Sequence, residues 1–163
     1  MLCPIIETLR PIPNAGWIPI AIIMFRTVEE STLFITFIGS FFPIFTNVFN
    51  GLKELPQSYK DFVILLHINR FEKMFHVFLP GIIQHVFTGL MSGMSGAWLS
   101  LIMAEMMNGK SGIGYYTWKN YTLLNYDKVI FGVIIMGCLG AMSSLFISTI
   151  AHKQLHWMRR GIF

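Results

Sequence analysis

The sequence predicts an all-α membrane protein with about four transmembrane helices, in one domain that covers residues 1–163. Only 12% of the residues are charged, whereas soluble domains carry about 25%. Long uncharged runs recur along the chain, and the mean hydropathy is +0.60. A more polar, two-faced stretch interrupts these runs. We therefore expect a cytoplasmic loop of amphipathic helices between the second and third spans.

The first predicted span covers residues 5–25 and is the weakest of the four. Its uncharged core, Pro11–Phe25, contains three prolines and is only fifteen residues long. An untilted helix needs about 20 apolar residues to cross a bilayer. We therefore expect Leu2–Leu9 to complete the span and the prolines to kink it against neighbouring helices.

The second predicted span covers residues 31–50, most of which form an uncharged apolar run. Ser31 or Thr32 is expected to cap the N-terminus of this helix, because a side-chain hydroxyl can accept from the free backbone N–H groups there. Glu29 and Glu30 suit the positive end of the same helix.

The loop at 51–78 is too polar to cross a bilayer and too apolar to be a flexible linker. Its apolar residues recur three and four positions apart, as in short amphipathic helices; they include Leu55, Tyr59, Phe62, Val63, Leu66, Phe71 and Phe75. A folded, two-faced segment between two spans predicts docking by a partner outside the membrane, with Phe62 or Phe71 as an apolar anchor. The alternative is a helix that lies on the membrane with its Phe side chains in lipid.

The third and fourth predicted spans cover residues 79–105 and 128–152. The run Met74–Ala104 has no Lys, Arg, Asp or Glu, and Pro80 suits a first helical turn. Between these spans lies a polar, glycine-bearing stretch with an aromatic cluster typical of a membrane–water interface; the cluster comprises Tyr115, Tyr116, Trp118 and Tyr121.

The distribution of Lys and Arg predicts the orientation of these spans. A cytoplasmic central loop and C-terminus place eight of the twelve basic residues inside: Arg10, Lys53, Lys60, Arg70, Lys73, Lys153, Arg159 and Arg160. Four remain outside: Arg26, Lys110, Lys119 and Lys128. This asymmetry agrees with the positive-inside rule and predicts a cytoplasmic C-terminus.

Small residues lie one helical turn apart in the last two predicted spans. The third span contains Gly89, Gly93 and Gly96, and the fourth contains Gly137 and Gly140. Small residues let helix backbones approach closely in lipid. They are expected to pack within the bundle, with a dimer seam as the alternative.

Several motifs that carry chemistry elsewhere are incomplete in this sequence. Gly109-Lys110-Ser111 lacks the earlier glycine of a phosphate-binding loop, since Ala104 occupies that position. His152 and His156 have a metal-ligand spacing without a nearby Cys, Asp or Glu to complete a set. His85 is interpreted as structural. With no hydrolytic arrangement, no basic run and no cofactor motif, we predict neither an enzyme, nor a metal or cofactor site, nor a nucleic-acid-binding protein.

Three blocks of the chain resemble the permease subunit of binding-protein-dependent ABC importers, and the branch for nitrate, sulfonate, taurine and bicarbonate most closely. These blocks are RPIPNAGWIPIAI (Arg10–Ile22), the central stretch that ends in Leu79-Pro80, and AWLSLIMAEMMNGKSGIGY (Ala97–Tyr115). The resemblance implies a multi-pass protein of the bacterial cytoplasmic (inner) membrane. It also implies that the central stretch is the loop whose helix docks on the cytoplasmic ATPase.

Counting back from Leu79-Pro80, the family's glutamate falls on Asp61 and its glycine on His67. The family's two alanines fall on Phe62 and Val63. The resemblance thus implies an ATPase-coupling set of Tyr59, Asp61, Phe62, Val63, His67, Phe71, Leu79 and Pro80. Large residues replace small ones at three of these positions, which departs from the family pattern.

Glu105 is the remaining candidate site residue, since it ends the longest uncharged run. It is expected either to line the pathway or to pair with Lys110.

The predicted function is that of a translocation subunit of an ABC importer. Its expected partners are a cytoplasmic ATPase, an extracytoplasmic substrate-binding protein, membrane lipid, and a second permease copy or helices from another chain. Family members carry about two further helices before the first block, so the chain is expected to lack them. The alternative is a truncated or non-transporting membrane scaffold with the same fold. The substrate is not determined by the sequence.

Overall fold

The computed structural model describes residues 8–56 and 73–155, and every regular element in these two ranges is helical. The elements follow in this order: a 3₁₀ turn (Asn14–Trp17), α1 (Ile18–Met24), α2 (Val28–Glu54), a π-helical turn (Lys73–Phe78), α3 (Leu79–Asn108), α4 (Ile113–Thr122) and α5 (Tyr126–Leu155). The all-α prediction is therefore confirmed for the described residues.

Three helices are long and apolar enough to cross a membrane: α2, α3 and α5. Their ranges include the predicted spans at 31–50, 79–105 and 128–152. The first predicted span differs, because the apolar helical segment there covers only Asn14–Met24. Pro13 has extended backbone angles (φ −62°, ψ 143°) and precedes the 3₁₀ turn. The described residues thus support three spans, and the predicted count of four is not confirmed.

Helix α2 begins with a capping box, earlier than the sequence predicted. The Thr27 side chain accepts from the Glu30 N–H at 3.2 Å, and the Thr27 N–H donates to the Glu30 carboxylate at 3.4 Å. The prediction that Ser31 or Thr32 caps the helix was therefore wrong. Ser31 is instead buried one turn inside, where its hydroxyl donates to backbone carbonyls of the first turn. The Thr27-x-x-Glu30 spacing is the signal that this prediction overlooked.

Helices α2 and α3 pack antiparallel through their small residues. A Cβ added at Gly39 would overlap Ser100 Oγ and lie 2.7 Å from the Gly96 carbonyl oxygen. Further along the pair, a Cβ at Gly93 would lie 2.6 Å from the Ile44 side chain, and one at Gly51 would lie 2.7 Å from His85. Close backbone approach of this kind is how helices associate in lipid. The expectation of packing within the bundle is confirmed for the glycines of α3.

The small residues of α5 are placed differently. A Cβ at Gly137 or Gly140 would meet no described atom within 4 Å. Helix α5 is fixed elsewhere, where Trp98 Nε1 donates to Ser143 Oγ at 2.8 Å and Gly132 packs against Thr117. The Gly137–Gly140 face of α5 is therefore open in the described chain.

Candidate functional site

The predicted coupling residues fall mainly outside the described ranges. Tyr59, Asp61, Phe62, Val63, His67 and Phe71 belong to the segment 57–72, which the structure does not describe. Leu79 and Pro80 are described: they open α3, with Leu79 37% exposed and the proline in the first helical turn. A proline is tolerated there because its missing N–H has no intrahelical acceptor.

The C-terminal end of α2 and the N-terminal turns of α3 pack against each other on either side of segment 57–72 in the sequence. Glu54 closes α2, and its Oε2 lies 3.5 Å from Nε2 of His85 on α3. His85 also contacts Gly51, and Leu55 and Val77 are buried. This contact between a carboxylate and an imidazole is partly exposed, so the helix packing is the main constraint. The helix end that precedes segment 57–72 and the helix start that follows it are therefore packed together.

Glu105 lies at the opposite end of α3, where it caps the next helix. Its Oε2 accepts from the Gly114 N–H at 2.7 Å. The N-cap position of α4 is Gly112, which has no side chain to supply an acceptor and has φ 110°. A side chain at Gly112 would overlap the Glu105 carboxylate. The acid therefore satisfies a free N–H and places negative charge at the positive end of α4.

Glu105 also borders an open cleft of about 710 Å³ between the N-terminus of α2 and the loop from α3 to α4. Four charged side chains line this cleft: Arg26, Glu29, Glu105 and Lys110. The described residues contain no ion pair between Glu105 and Lys110. The Glu105 carboxylate accepts from a backbone N–H, and Arg26, Lys110 and Glu29 line the same cleft.

Two polar pairs between the packed helices were missed by the sequence reasoning. Asn14 Nδ2 donates to the fully buried Ser100 at 2.8 Å, and Asn108 Nδ2 donates to the buried Ser31 at 3.0 Å. Trp17 Nε1 is buried without a hydrogen-bond partner among the described residues. An asparagine inside or beside an apolar run could have predicted these pairs, since such a side chain needs a hydrogen-bond partner within the protein when it lies in lipid.

The remaining motifs show no further site. Gly109–Ser111 connects two helices, whereas a phosphate-binding loop follows a strand. The histidine pair cannot be placed, since His156 and the side chain of His152 lie outside the described residues. No group of three or more potential metal ligands occurs within 8–56 and 73–155.

Comparison with known proteins gives one family. The family model described as "binding-protein-dependent transport system inner membrane component" matches residues 1–158. The nitrate import permease protein NrtB of Leptolyngbya laminosa is 32% identical over 93% of this chain and 54% of its own length.

Two further relatives carry other substrate names. The bicarbonate transport system permease protein CmpB of Synechococcus elongatus is 31% identical over 99% of this chain and 56% of its own length. A putative aliphatic sulfonates transport permease protein, SsuC of Bacillus subtilis, is 28% identical over 96% of this chain and 56% of its length. The chain therefore spans about half the length of the curated relatives it matches.

Proposed function

This chain belongs to the family of inner-membrane components of binding-protein-dependent transport systems, and from that premise we propose that it forms part of the permease of an ABC importer. Its family and its three apolar helices make it a multi-pass inner-membrane protein. Such permease subunits are not themselves enzymes, so ATP hydrolysis belongs to a separate subunit. The relatives are named for transport, and we therefore do not favour the scaffold alternative.

The observation that carries the proposal is the junction at Glu54 and His85. Glu54 ends α2, and its Oε2 lies 3.5 Å from Nε2 of His85 near the start of α3, so the two helices that flank segment 57–72 in the sequence meet there. A partner that grips this segment would move two packed spans together. ATPase closure can thus shift the helices between two arrangements, which is how a coupling element transmits a conformational change.

We propose that Asp61 and Phe71 contact the ATPase, with Phe62 as a second apolar anchor. Burial of one Phe at a partner stabilises the contact by about 1.5–3 kcal/mol. Its loss should therefore lower the affinity at least tenfold. Tyr59, Val63, His67, Leu79 and Pro80 complete the proposed coupling set.

The opposite end of the molecule is proposed to face the substrate-binding protein. The cleft beside Glu105, Arg26 and Lys110 is open there and lies next to the polar loop from α3 to α4. We assign it as the mouth of the pathway. The open Gly137–Gly140 face of α5 is the proposed contact with a second permease copy, because small residues permit close helix approach and no described part of the chain covers them.

Co-purification of the cognate ATPase with the chain tests the coupling proposal. Asp61→Lys and Phe71→Asp should each reduce recovery of the ATPase at least tenfold at equal membrane insertion. Asp127→Lys and Tyr121→Asp are matched controls at the other end of the helices, where both side chains are exposed. Equal recovery with all four variants would contradict docking at segment 57–72.

A further inference from the structure

A regular ladder of phenylalanine rings runs along α2. The Phe ladder consists of Phe37, Phe41, Phe45 and Phe49. Its successive ring centroids are 5.5, 5.8 and 5.9 Å apart, and the last two pairs are stacked. Beside it runs a second ridge one position earlier in each turn: Ser40, Ile44, Val48 and Leu52. Between these ridges lies an open, almost wholly apolar groove of about 340 Å³.

The Phe ladder lies on the side of α2 turned away from α3, whereas the second ridge borders the contact with α3, where Ile44 packs against Gly93. The ladder is two residues out of step with Gly39 and Gly51, which contact α3, and two residues correspond to about 200° around a helix. Phe37 is 58% exposed. The surface of α2 that contacts α3 contains small residues such as Gly39, whereas the ladder surface consists of large aromatic rings. Tight helix association in lipid uses small residues, so this face is poorly suited to another helix and well suited to a flexible chain.

Lys53 follows Leu52, the last residue of the groove, and contacts the last ring of the ladder. Lys53 Nζ lies 4.3 Å from the centroid of the Phe49 ring, at the last step of the ladder. The described residues include no carboxylate paired with Lys53, since the neighbouring Glu54 is directed to His85. The ladder from Phe37 to Phe49 is about 18 Å long at 1.5 Å per residue. One leaflet of hydrocarbon is about 15 Å deep.

From this match of length, shape and charge, we propose that the groove beside the Phe ladder binds one acyl chain of an anionic phospholipid whose phosphate contacts Lys53. A cation at the headgroup level attracts anionic lipid, and one lysine raises the affinity for such a lipid about fivefold. In the predicted orientation Lys53 is on the cytoplasmic side, the leaflet surface where such attraction acts. The site stands apart from the coupling proposal, because it needs neither the ATPase nor segment 57–72.

Photolabelling in vesicles tests this site. The full chain is reconstituted in phosphatidylcholine with a trace of phosphatidylglycerol that carries a diazirine in its acyl chain, and labelled residues are mapped by peptide mass spectrometry. We expect more label on residues 37–52 than on the face of α5 around Phe131, although that face is the more exposed of the two. Unlabelled phosphatidylglycerol should compete about fivefold better than phosphatidylcholine. Lys53→Ala should abolish this preference, whereas Lys128→Ala should retain it.

A second pair of variants separates the acyl contact from the headgroup contact. Phe45→Ala should lower the label on the groove without changing the headgroup preference, and Phe131→Ala on α5, where the ring is 59% exposed, should change neither. An unchanged preference in Lys53→Ala, or label spread evenly over α2 and α5, would overturn the proposal. Complete protection of 37–52 beside a labelled α5 would also overturn it, since protein would then cover the groove.

Discussion

At the scale of single residues, two glycines of the same chain offer a direct test of helix packing. A methyl group at Gly39 meets Ser100 and the Gly96 carbonyl, whereas one at Gly137 meets no described atom within 4 Å. Overpacking of a tight contact costs about 1–3 kcal/mol. We therefore expect Gly39→Ala to destabilise the folded chain by that amount. Gly137→Ala should be neutral or slightly stabilising, because alanine favours a helix over glycine.

The measurement is the loss of helical circular dichroism during SDS titration of detergent-dispersed monomer. Both variants make the same chemical change, so the helix propensity term cancels in their comparison. Equal stability of the two would mean that α2 and α3 do not approach closely at Gly39.

For Glu105, the sequence predicted the unusual position of the residue but not its hydrogen-bond partner. Its position at the end of the longest uncharged run identified it as unusual. Its partner, the Gly114 N–H, depends on the turn at Gly112 with φ 110°. A glycine can adopt such an angle, but the sequence does not indicate that it does so here. The sequence therefore favoured Lys110, the nearest oppositely charged residue, as a partner of Glu105. The described residues contain no such pair.

At the scale of elements, the helices that were predicted best are those whose formation depends mainly on hydropathy. The long uncharged runs of α3 and α5 predict helices because only a helix satisfies every backbone group in lipid. The start of α2 was misplaced by several residues, since hydropathy does not report a capping box. The first apolar segment failed to form one long helix because its prolines compete with hydropathy. The ladder on α2 has an i, i+4 spacing that could have been found in the sequence.

The open face of α5 leads to a prediction at the same scale. Ala141 is exposed and lies one helical turn after Gly137, on the same face. In a symmetric dimer a residue near the twofold axis lies close to its own copy. We expect an oxidant to cross-link an Ala141→Cys variant between copies in native membranes, with Cys3→Ser and Cys138→Ser in the same chain. Gly137→Leu should reduce the cross-linked fraction severalfold, because the larger side chain would separate the helices.

The matched control moves the cysteine to the lipid-facing ladder. A chain with Cys3→Ser, Cys138→Ser and Phe37→Cys exposes a thiol on α2 instead of α5, since Phe37 is 58% exposed. That thiol should remain uncross-linked. Similar cross-linking from both positions would indicate random collision and would remove the support for a copy at α5.

At the scale of the whole molecule, the resemblance found in three sequence blocks is confirmed by the family match over residues 1–158. A family pattern spread over most of a chain can be recognised even where single positions, such as Phe62 and His67, depart from it. Two features of the described chain lie at opposite ends of the α2–α3 pair. The Glu54–His85 contact lies at the end next to segment 57–72 in the sequence, and the charged cleft lies at the other end.

We predict which end of the bundle faces the cytoplasm. Helix α5 begins at Tyr126 and continues to Leu155, so the loop at 111–119 and the C-terminus lie at its two ends. If the first apolar segment does not cross, Arg10 changes sides, and the basic residues divide seven to five rather than eight to four. The cytoplasmic side remains the richer one in both cases, because short loops with more Lys and Arg stay inside. A green fluorescent protein fused after Phe163 should therefore fluoresce, and alkaline phosphatase inserted within 111–119 should be active. The reverse pattern would place segment 57–72 outside the cell, where no ATPase could reach it.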